Sequence, residues 1–299
     1  MEISEYDAFG PWIIDVERPE DVPRLYRDFP IDFGRALLVF KVPRNIARRD
    51  ANPSMHLYDV LIIAEPEGLT VLRRDSESSY TVSRVALATI YAVEDSVSLL
   101  DGRLLIHSTE HPPVLIEYNG SGHSSVTRLV SLLRGLIAPS GAGVSVGDSG
   151  RAAATVSMLL AGEADYGLRG DSIAVLANEP AARVLAGHST MPIHPSRGGL
   201  TKLTHAFRPA VLQGAVAIEV PSAVLILRRR DPIARGRHDD LSHSFTVVFT
   251  DRVNTTARMP HPLYPEVAVL EVKAGSSSLE VLIPADSDFQ LPLVQSRTR

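Results

Sequence analysis

Four basic side chains follow a predicted β-strand near the start of the chain, within the nine residues from Lys41 to Arg49. The set consists of Lys41, Arg44, Arg48 and Arg49. A planar guanidinium suits phosphate and carboxylate oxygens, and several converging cations are needed to hold a highly charged group. These four residues are therefore the predicted binding site for an anionic ligand. The alternative is a solvated loop whose arginines form local salt bridges with Asp50 or Asp59.

Ten histidines raise the possibility of metal ligation or acid–base catalysis. His238 and His243 flank two aspartates, but their spacing fits neither one face of a helix nor one face of a strand. The histidines between 188 and 205 are spaced irregularly. Because no ligand set with defined spacing emerges, we predict no metal, no cofactor and no catalytic residue. The alternative function is an enzyme with an inter-domain site that uses the histidines of 188–205 or 238–243.

Two further features concern buried and exposed positions. Glu94 and Asp95 are neighbours in a predicted strand, so their side chains should point to opposite faces, and both are expected at the surface. Trp12 is the only tryptophan. It is expected to pack the N-terminal segment against the first domain, since a large aromatic ring is usually buried.

Composition narrows the class of protein. The chain has 299 residues and a net charge of −5. Residues 1–140 carry 14 basic and 20 acidic side chains, a net charge of −6, whereas residues 141–299 carry 16 and 15. Neither half has the basic excess of a nucleic-acid-binding protein, so no nucleic-acid partner is expected.

The sequence also bears on where the protein resides. It contains no cysteine, which fits a reducing compartment. The acidic N-terminus has no signal-peptide pattern, and no apolar run approaches the roughly 18 residues of a membrane-spanning helix. We therefore expect a cytoplasmic protein without a transmembrane segment.

Two stretches of the chain, 59–75 and 215–231, have similar sequences. Without gaps, 6 of the 17 aligned positions are identical. Both stretches read as strand, tight turn with proline, and strand, and both end in two arginines and an aspartate. This similarity predicts two copies of one β-rich module.

The elements around these hairpins define the predicted domains. Residues 36–137 read as about seven short strands followed by one helix with an apolar stripe. The small residues of 138–149 form the predicted linker. The domains are therefore 1–137, an N-terminal arm with a β-rich domain, and 150–299, a helical segment with a second, divergent copy. We expect a helix over about Ile173–Ala186, broken near Pro180, and a loop from Gly187 to Pro209.

This order of elements resembles the pleckstrin-homology-like fold, especially its bacterial versions. The resemblance rests on the hairpin ending at Leu72–Asp75, on Val85–Val93 and on Asp101–His107, and it covers about 36–137. It implies a mainly β (α+β) chain with two small antiparallel barrels or sheets, the first closed by its C-terminal helix. The second copy matches less well and lacks that helix.

The resemblance also guides the functional expectation. In lipid-binding members, basic residues of the first inter-strand loop grip inositol phosphates, which here implies Lys41, Arg44, Arg48 and Arg49. The fold hosts many functions, most of them binding functions. We therefore expect a non-catalytic binding or scaffold protein that acts on a protein partner or on an anionic membrane surface.

Overall fold

The computed structural model describes residues 5–137, 149–179, 181–196, 209–235, 242–287 and 289–292. The predicted linker lies outside these residues except for Ser149, which begins a helix. None of the helices in the described part of the chain is long and apolar enough to cross a membrane.

The first half of the chain consists of eight strands and two helices. Its strands are β1 (Ile14–Asp15), β2 (Leu38–Pro43), β3 (Tyr58–Glu65), β4 (Gly68–Arg74), β5 (Tyr80–Ala86), β6 (Ile90–Ser98), β7 (Asp101–Ser108) and β8 (Val114–Asn119). Its helices are α1 (Glu5–Ala8) and α2 (His123–Ile137).

The second half begins with two helices, α3 (Ser149–Leu159) and α4 (Tyr166–Asn178). The strands that follow are β9 (Arg183–His188), β10 (Met191–Ile193), β11 (Ala210–Leu212), β12 (Ala215–Val220), β13 (Ala223–Arg228), β14 (Ile233–Arg235), β15 (His243–Phe249), β16 (Thr255–Pro260), β17 (Val267–Ala274) and β18 (Ser277–Pro284). The chain is thus mainly β with added helices, as predicted.

The described strands form four open antiparallel sheets rather than closed barrels. Their orders are β1-β2-β3-β4-β5, β8-β7-β6-β15-β13-β12-β9, β10-β11-β14 and β16-β17-β18. The seven-stranded sheet contains strands of both halves, because β6 pairs with β15, with Val93 opposite Val247. The two predicted domains therefore share one continuous sheet.

The two halves have the same order of main elements. In the first half, β2 to β5 lie side by side, a 3-10 turn at Leu87–Thr89 follows, and β6 to β8 form a meander. In the second half, β9, β12, β13 and β15 lie side by side, a 3-10 turn at Thr250–Arg252 follows, and β16 to β18 form a meander. The hairpins with similar sequences, β3-β4 and β12-β13, occupy corresponding places in this order.

Hydrophobic burial ties the layers together. The largest core cluster contains residues of α2, α3 and α4 together with one face of the seven-stranded sheet and one face of the five-stranded sheet. A second cluster lies between the other face of the seven-stranded sheet and the meander β16-β17-β18. A third joins the five-stranded sheet to the N-terminal segment around Tyr26. Since the largest cluster spans both halves, packing as well as strand pairing unites them.

Some of the elements predicted from local sequence patterns are present in the structure and others are not. The apolar stripe of α2 is confirmed, with Leu129 and Leu133 at 0% and 1% exposure. The helix expected at Ile173–Ala186 begins earlier, at Tyr166, and ends at Asn178, close to the break expected near Pro180. The part expected to be helical after that break was wrong, because β9 begins at Arg183. The expected loop from Gly187 to Pro209 contains the short strand β10. Trp12 was expected to be buried but is 58% exposed.

Candidate functional site

A cavity of about 470 Å³ lies where the two halves meet. Its lining side chains come from α2 and α4 above the sheet and from β6, β13 and β15 within it. Cavities that hold small ligands usually have a largely apolar wall and a few convergent polar groups. This cavity has both, and it is the candidate functional site.

Asp95 is the buried carboxylate of this site. Asp95 lies two residues from both Val93 and Val97 in β6, so its side chain points to the same face of the sheet as theirs. The side chains of Val93 and Val97 belong to the core beneath the helices. Because β6 is paired on both sides, Asp95 is only 3% exposed. A carboxylate buried to this extent is costly unless hydrogen bonds or cations compensate it.

Two donors from the first half surround the Asp95 carboxylate. Tyr118 Oη donates to Oδ1 at 2.6 Å, and His123 Nδ1 lies 3.2 Å from Oδ2. His123 Nε2 lies 3.3 Å from Oγ1 of Thr127, one turn further along α2. The Thr127 hydroxyl itself donates to the His123 carbonyl at 3.0 Å. The network thus fixes the His123 ring at the start of α2.

The protonation states agree with this geometry. The hydrogen bond to Asp95 raises the pKa of His123, against the opposing effect of burial. When His123 is protonated, both of its ring nitrogens donate, one to Asp95 and the other to Thr127. Burial, reinforced by the charge of Asp95, raises the pKa of Tyr118, so its phenol keeps its proton. The Asp95 carboxylate is therefore satisfied by the Tyr118 phenol and the His123 ring.

His243 brings the second half into the site. Its ring packs edge-on against the His123 ring, with 5.0 Å between centroids and 74° between planes. Burial, with the nearby His123, lowers the pKa of His243. Its ring nitrogens make no hydrogen bond within the described part of the chain. The cavity therefore presents an imidazole whose neutral form is favoured by burial and whose ring nitrogens are available to a ligand.

The rest of the cavity wall is largely apolar. An ion pair between Arg134 of α2 and Glu179, the residue that follows α4, links the two helices beside it. Asp171 of α4 supplies a further carboxylate whose charge acts on His243. The apolar side chains of the wall are Val130, Leu168, Ala174, Val175, Leu227 and Phe245.

Glu94 lies on the opposite face of β6 and joins the halves there. Arg228 Nη2 is 2.8 Å from Glu94 Oε1, and the Ser244 hydroxyl donates to the same oxygen at 3.2 Å. The Arg228 and Glu94 side chains are 12% and 13% exposed. The expectation that Glu94 and Asp95 lie at the surface was therefore wrong, although they do point to opposite faces.

Two of the four predicted anion-binding cations have partners close to the first sheet. Lys41 is 8% exposed. Its Nζ donates to the Asp21 carbonyl at 2.7 Å and lies 4.8 Å above the Tyr58 ring. Burial lowers the pKa of Lys41. Arg44 lies 3.4 Å from Glu77. The Lys41 ammonium is thus used inside the fold.

The other two cations differ from each other in their contacts. The Arg48 guanidinium donates to the Phe9 carbonyl and lies 4.7 Å above the Tyr6 ring, so it anchors the N-terminal segment. The Arg49 side chain is 87% exposed and lies 3.9 Å from Asp50. All four predicted cations have different partners, and the structure does not bring them together on one ligand site.

Of the other predicted histidines, the two that the structure describes do not line the cavity. His188 is half-buried, burial lowers its pKa, and its Nδ1 lies 3.1 Å from the Ser189 carbonyl. His194 is exposed and lies 3.0 Å from Glu266. His205 and His238 fall outside the described residues. Among the residues that the structure describes, no group of histidines and carboxylates could hold a metal ion.

Sequence reasoning singled out His243 but missed Asp95 and His123. Asp95 and His243 lie close together because β6 pairs with β15. No local sequence pattern predicts that pairing. One signal was available: Asp95 lies between Val93 and Val97 at the period of a strand face, which indicates an inward position. His123 follows the turn at Gly120–Gly122 and could have been recognised as the first residue of α2.

Comparisons with known proteins give no match: no protein-family model, no curated protein and no solved structure is similar to this chain.

Proposed function

We propose that this chain is a non-catalytic binding protein of two pleckstrin-homology-like modules, and that it holds its ligand in the cavity between them. The shared order of elements in the two halves supports the modular reading. The observation that carries the proposal is that the cavity combines an apolar wall with a polar network whose members already satisfy one another.

The geometry favours binding over catalysis. Asp95, His123 and Thr127 are connected like a carboxylate, base and hydroxyl of a hydrolase, but the Thr127 hydroxyl donates to a backbone carbonyl of its own helix. Both nitrogens of His123 are also engaged when it is protonated. A nucleophile needs a base that can take its proton, and the Thr127 hydroxyl gives its proton to the His123 carbonyl rather than to the ring. The network therefore serves to hold α2 and the buried carboxylate in place.

The ligand chemistry follows from the groups that remain free. A ligand with an apolar body fits the walls around Leu168 and Phe245, and a polar end can bond to the His243 ring. We propose an apolar segment or side chain of a protein partner, or a small amphipathic molecule. The acidic net charge of residues 1–140 and the internal use of Lys41 and Arg48 support this choice over an anionic membrane surface.

A fluorescence titration with 1-anilinonaphthalene-8-sulfonate as the probe tests the cavity. The dye has an apolar body and should bind saturably to the full chain. Ala174→Trp fills the cavity from α4 and should weaken dye binding at least about tenfold, whereas Ala177→Trp, on the same helix but outside the lining, should not. Equal binding by both variants would place the dye elsewhere and overturn the proposal.

Sedimentation with phosphatidylserine and phosphoinositide vesicles tests the membrane version. We expect no binding even at low ionic strength, where electrostatic attraction is least screened. Binding that is lost in the combined variant Arg44→Ala, Arg48→Ala and Arg49→Ala would instead favour an anionic surface as the partner.

One observation favours a second candidate function. The His243 ring packs against the His123 ring, and their pKa values are shifted in opposite directions, as suits a general base next to a general acid. An acid–base enzyme with His243 as the base is therefore the alternative. It predicts turnover of some substrate that His243→Gln abolishes while dye binding persists.

A further inference from the structure

A groove of about 620 Å³ lies in the first half, away from the inter-module cavity. It runs between β5, the last strand of the five-stranded sheet, and β8, the last strand of the seven-stranded sheet. Val82 and Arg84 line it from β5, and Leu115 lines it from β8. Two sheet edges thus border one depression in the surface.

The edge of β5 is open in the described part of the chain. β5 pairs with β4 on one side only, so alternate N–H and C=O groups point away from the sheet. Four consecutive residues of this strand, from Thr81 to Arg84, are exposed. An exposed strand edge is a template on which another extended segment can form backbone hydrogen bonds.

The second half shows how such an edge is filled. β15 occupies the place in its half that β5 occupies in the first, as the fourth strand before a 3-10 turn. β6 pairs with the outer side of β15 in antiparallel register, with Ala92 opposite Val248. The same position is thus covered by a strand in one half and free in the other.

The charges around the groove indicate which segment would fit. Its lining contains Arg73, Arg84 and His111 but no aspartate or glutamate. Neither arginine forms an ion pair within the described residues. Arg84 lies 5.7 Å above the Phe29 ring, and Arg73 donates to the Leu115 carbonyl across the groove. An acidic side chain would find cations without a competing carboxylate in the lining.

The groove also has apolar surface to bury. Val82 is 38% exposed and Leu115 is 37% exposed. Isolated exposed apolar residues are common, but here both lie beside an open strand edge. Val82 and Arg84 are two residues apart and point to the same face of β5, so a bound strand would meet an apolar side chain and a cation on that face.

We propose that this groove binds an extended acidic segment of a protein partner, which adds to β5 as a further antiparallel strand. The backbone of β5 supplies affinity, and Arg73, Arg84 and His111 select acidic side chains. The site is distinct from the inter-module cavity and does not depend on what that cavity binds.

Selection of displayed random dodecapeptides on the full-length chain tests the proposal, with affinities of the enriched peptides then measured by fluorescence anisotropy. Enriched sequences should be rich in aspartate, glutamate and β-branched residues and poor in proline. Arg84→Glu should weaken their binding at least tenfold, while Arg49→Glu, an exposed arginine outside the groove, should not. Added salt should weaken binding as well.

Backbone methylation separates strand addition from simple charge attraction. Peptides N-methylated at alternate residues in the two possible phases should differ, because only one phase removes the N–H groups that face β5. Ala174→Trp, which fills the other cavity, should leave peptide binding unchanged. Failure to enrich acidic peptides, or equal binding by Arg84→Glu, would overturn the proposal and leave Arg84 as a charge that protects the edge from aggregation.

Discussion

The fourth strands of the two halves have the same place in the order of elements but different surroundings. β5, Tyr80–Ala86, is an outer strand with mostly exposed side chains. β15, His243–Phe249, lies inside the seven-stranded sheet, and most of its side chains are buried. The sequences follow the surroundings, since Thr81, Ser83 and Arg84 suit an exposed edge, whereas Val247, Val248 and Phe249 suit a central strand.

The different surroundings of β5 and β15 result from the way in which the two halves are joined. The meander that follows β5 supplies β6, which covers β15 rather than β5. As a result, the first half depends on β15 to cover its own β6, and neither half keeps a complete sheet alone. We therefore expect the isolated fragment 1–137 to be less stable than the full chain or to self-associate through β6.

Proline substitutions should produce the largest contrast between the two strands. In β15, both Thr246→Pro and Val247→Pro should cost more than about 3 kcal/mol, because each removes a ladder N–H that faces a neighbour on one side or the other. In β5, only one of Val82→Pro and Ser83→Pro should be severe, since the other N–H faces away from β4. Urea denaturation measures all four.

Whichever of Val82→Pro and Ser83→Pro leaves the fold stable also tests the proposed peptide site. It should abolish binding of the acidic peptides, because it removes a donor at the open edge. Equally severe losses at Val82 and Ser83 would show that both N–H groups are needed by the fold, and the contrast between an open and a covered strand would fail.

Arg228 of the second half and Arg49 of the first half also have different surroundings, and the next prediction concerns these two arginines. Arg228 reaches across the junction to Glu94, and both side chains are largely buried. Arg228→Ala should cost about 3–5 kcal/mol because it leaves an uncompensated buried carboxylate. Arg49→Ala, in the first cluster, should change the free energy of unfolding by less than about 0.5 kcal/mol. Denaturant titrations of both variants provide the measurement.

A double variant completes this test. Replacing Arg228 and Glu94 together with leucine should recover much of the loss, since no unpaired charge remains. A small loss for Arg228→Ala alone would mean that Glu94 reaches solvent, and the ion pair would not be what unites the halves on this face of the sheet.

The helices of the two halves can be compared by truncating one core leucine in each. Leu133 of α2 and Leu176 of α4 are 1% and 2% exposed. Each change to alanine should cost about 2–5 kcal/mol, from lost transfer energy and the cavity left behind. Leu136→Ala, at a half-buried position of α2, should cost clearly less. A negligible effect at Leu176 alone would show that α4 contributes little to the shared core.

Local elements of the fold could largely be predicted from the sequence. The hairpin β3-β4 was predicted from apolar strands around Pro66 and Gly68, and α2 from its apolar stripe, because both signals lie within a few residues. The pairing of β6 with β15 was not readable, since Glu94 and Ser244 are 150 residues apart and any strand edge could in principle pair with either.

The candidate site could be predicted only in part, because it too depends on the pairing of strands that are distant in the sequence. His243 was noticed as a residue type but not as a neighbour of Asp95, because the contact depends on the pairing of distant strands. The cluster of Lys41 and Arg48 was predicted from charge alone. Charge does not reveal that a lysine at an inward strand position will be buried, or that an arginine will hold a neighbouring segment. Tertiary packing thus decides which charged residues stay available.

The smallest predicted effect concerns the two histidines that meet at the junction, one from each half. The pKa of His123 is raised in the folded state, so its stabilising contribution is complete below the unfolded value of about 6.5 and is lost as the pH rises through the folded pKa. The pKa of His243 is lowered, so its contribution is complete above about 6.5 and is lost as the pH falls toward the folded pKa.

The two contributions oppose each other in the native chain, and single variants separate them. The stability difference between the native chain and His123→Gln should grow as the pH falls from roughly 8 to 6, whereas the difference for His243→Gln should grow as the pH rises from roughly 5 to 7. Denaturation at a series of pH values gives both differences. If both stability differences changed in the same direction with pH, the pKa values of His123 and His243 would not be shifted in opposite directions. The contact between the two rings would then need another electrostatic explanation.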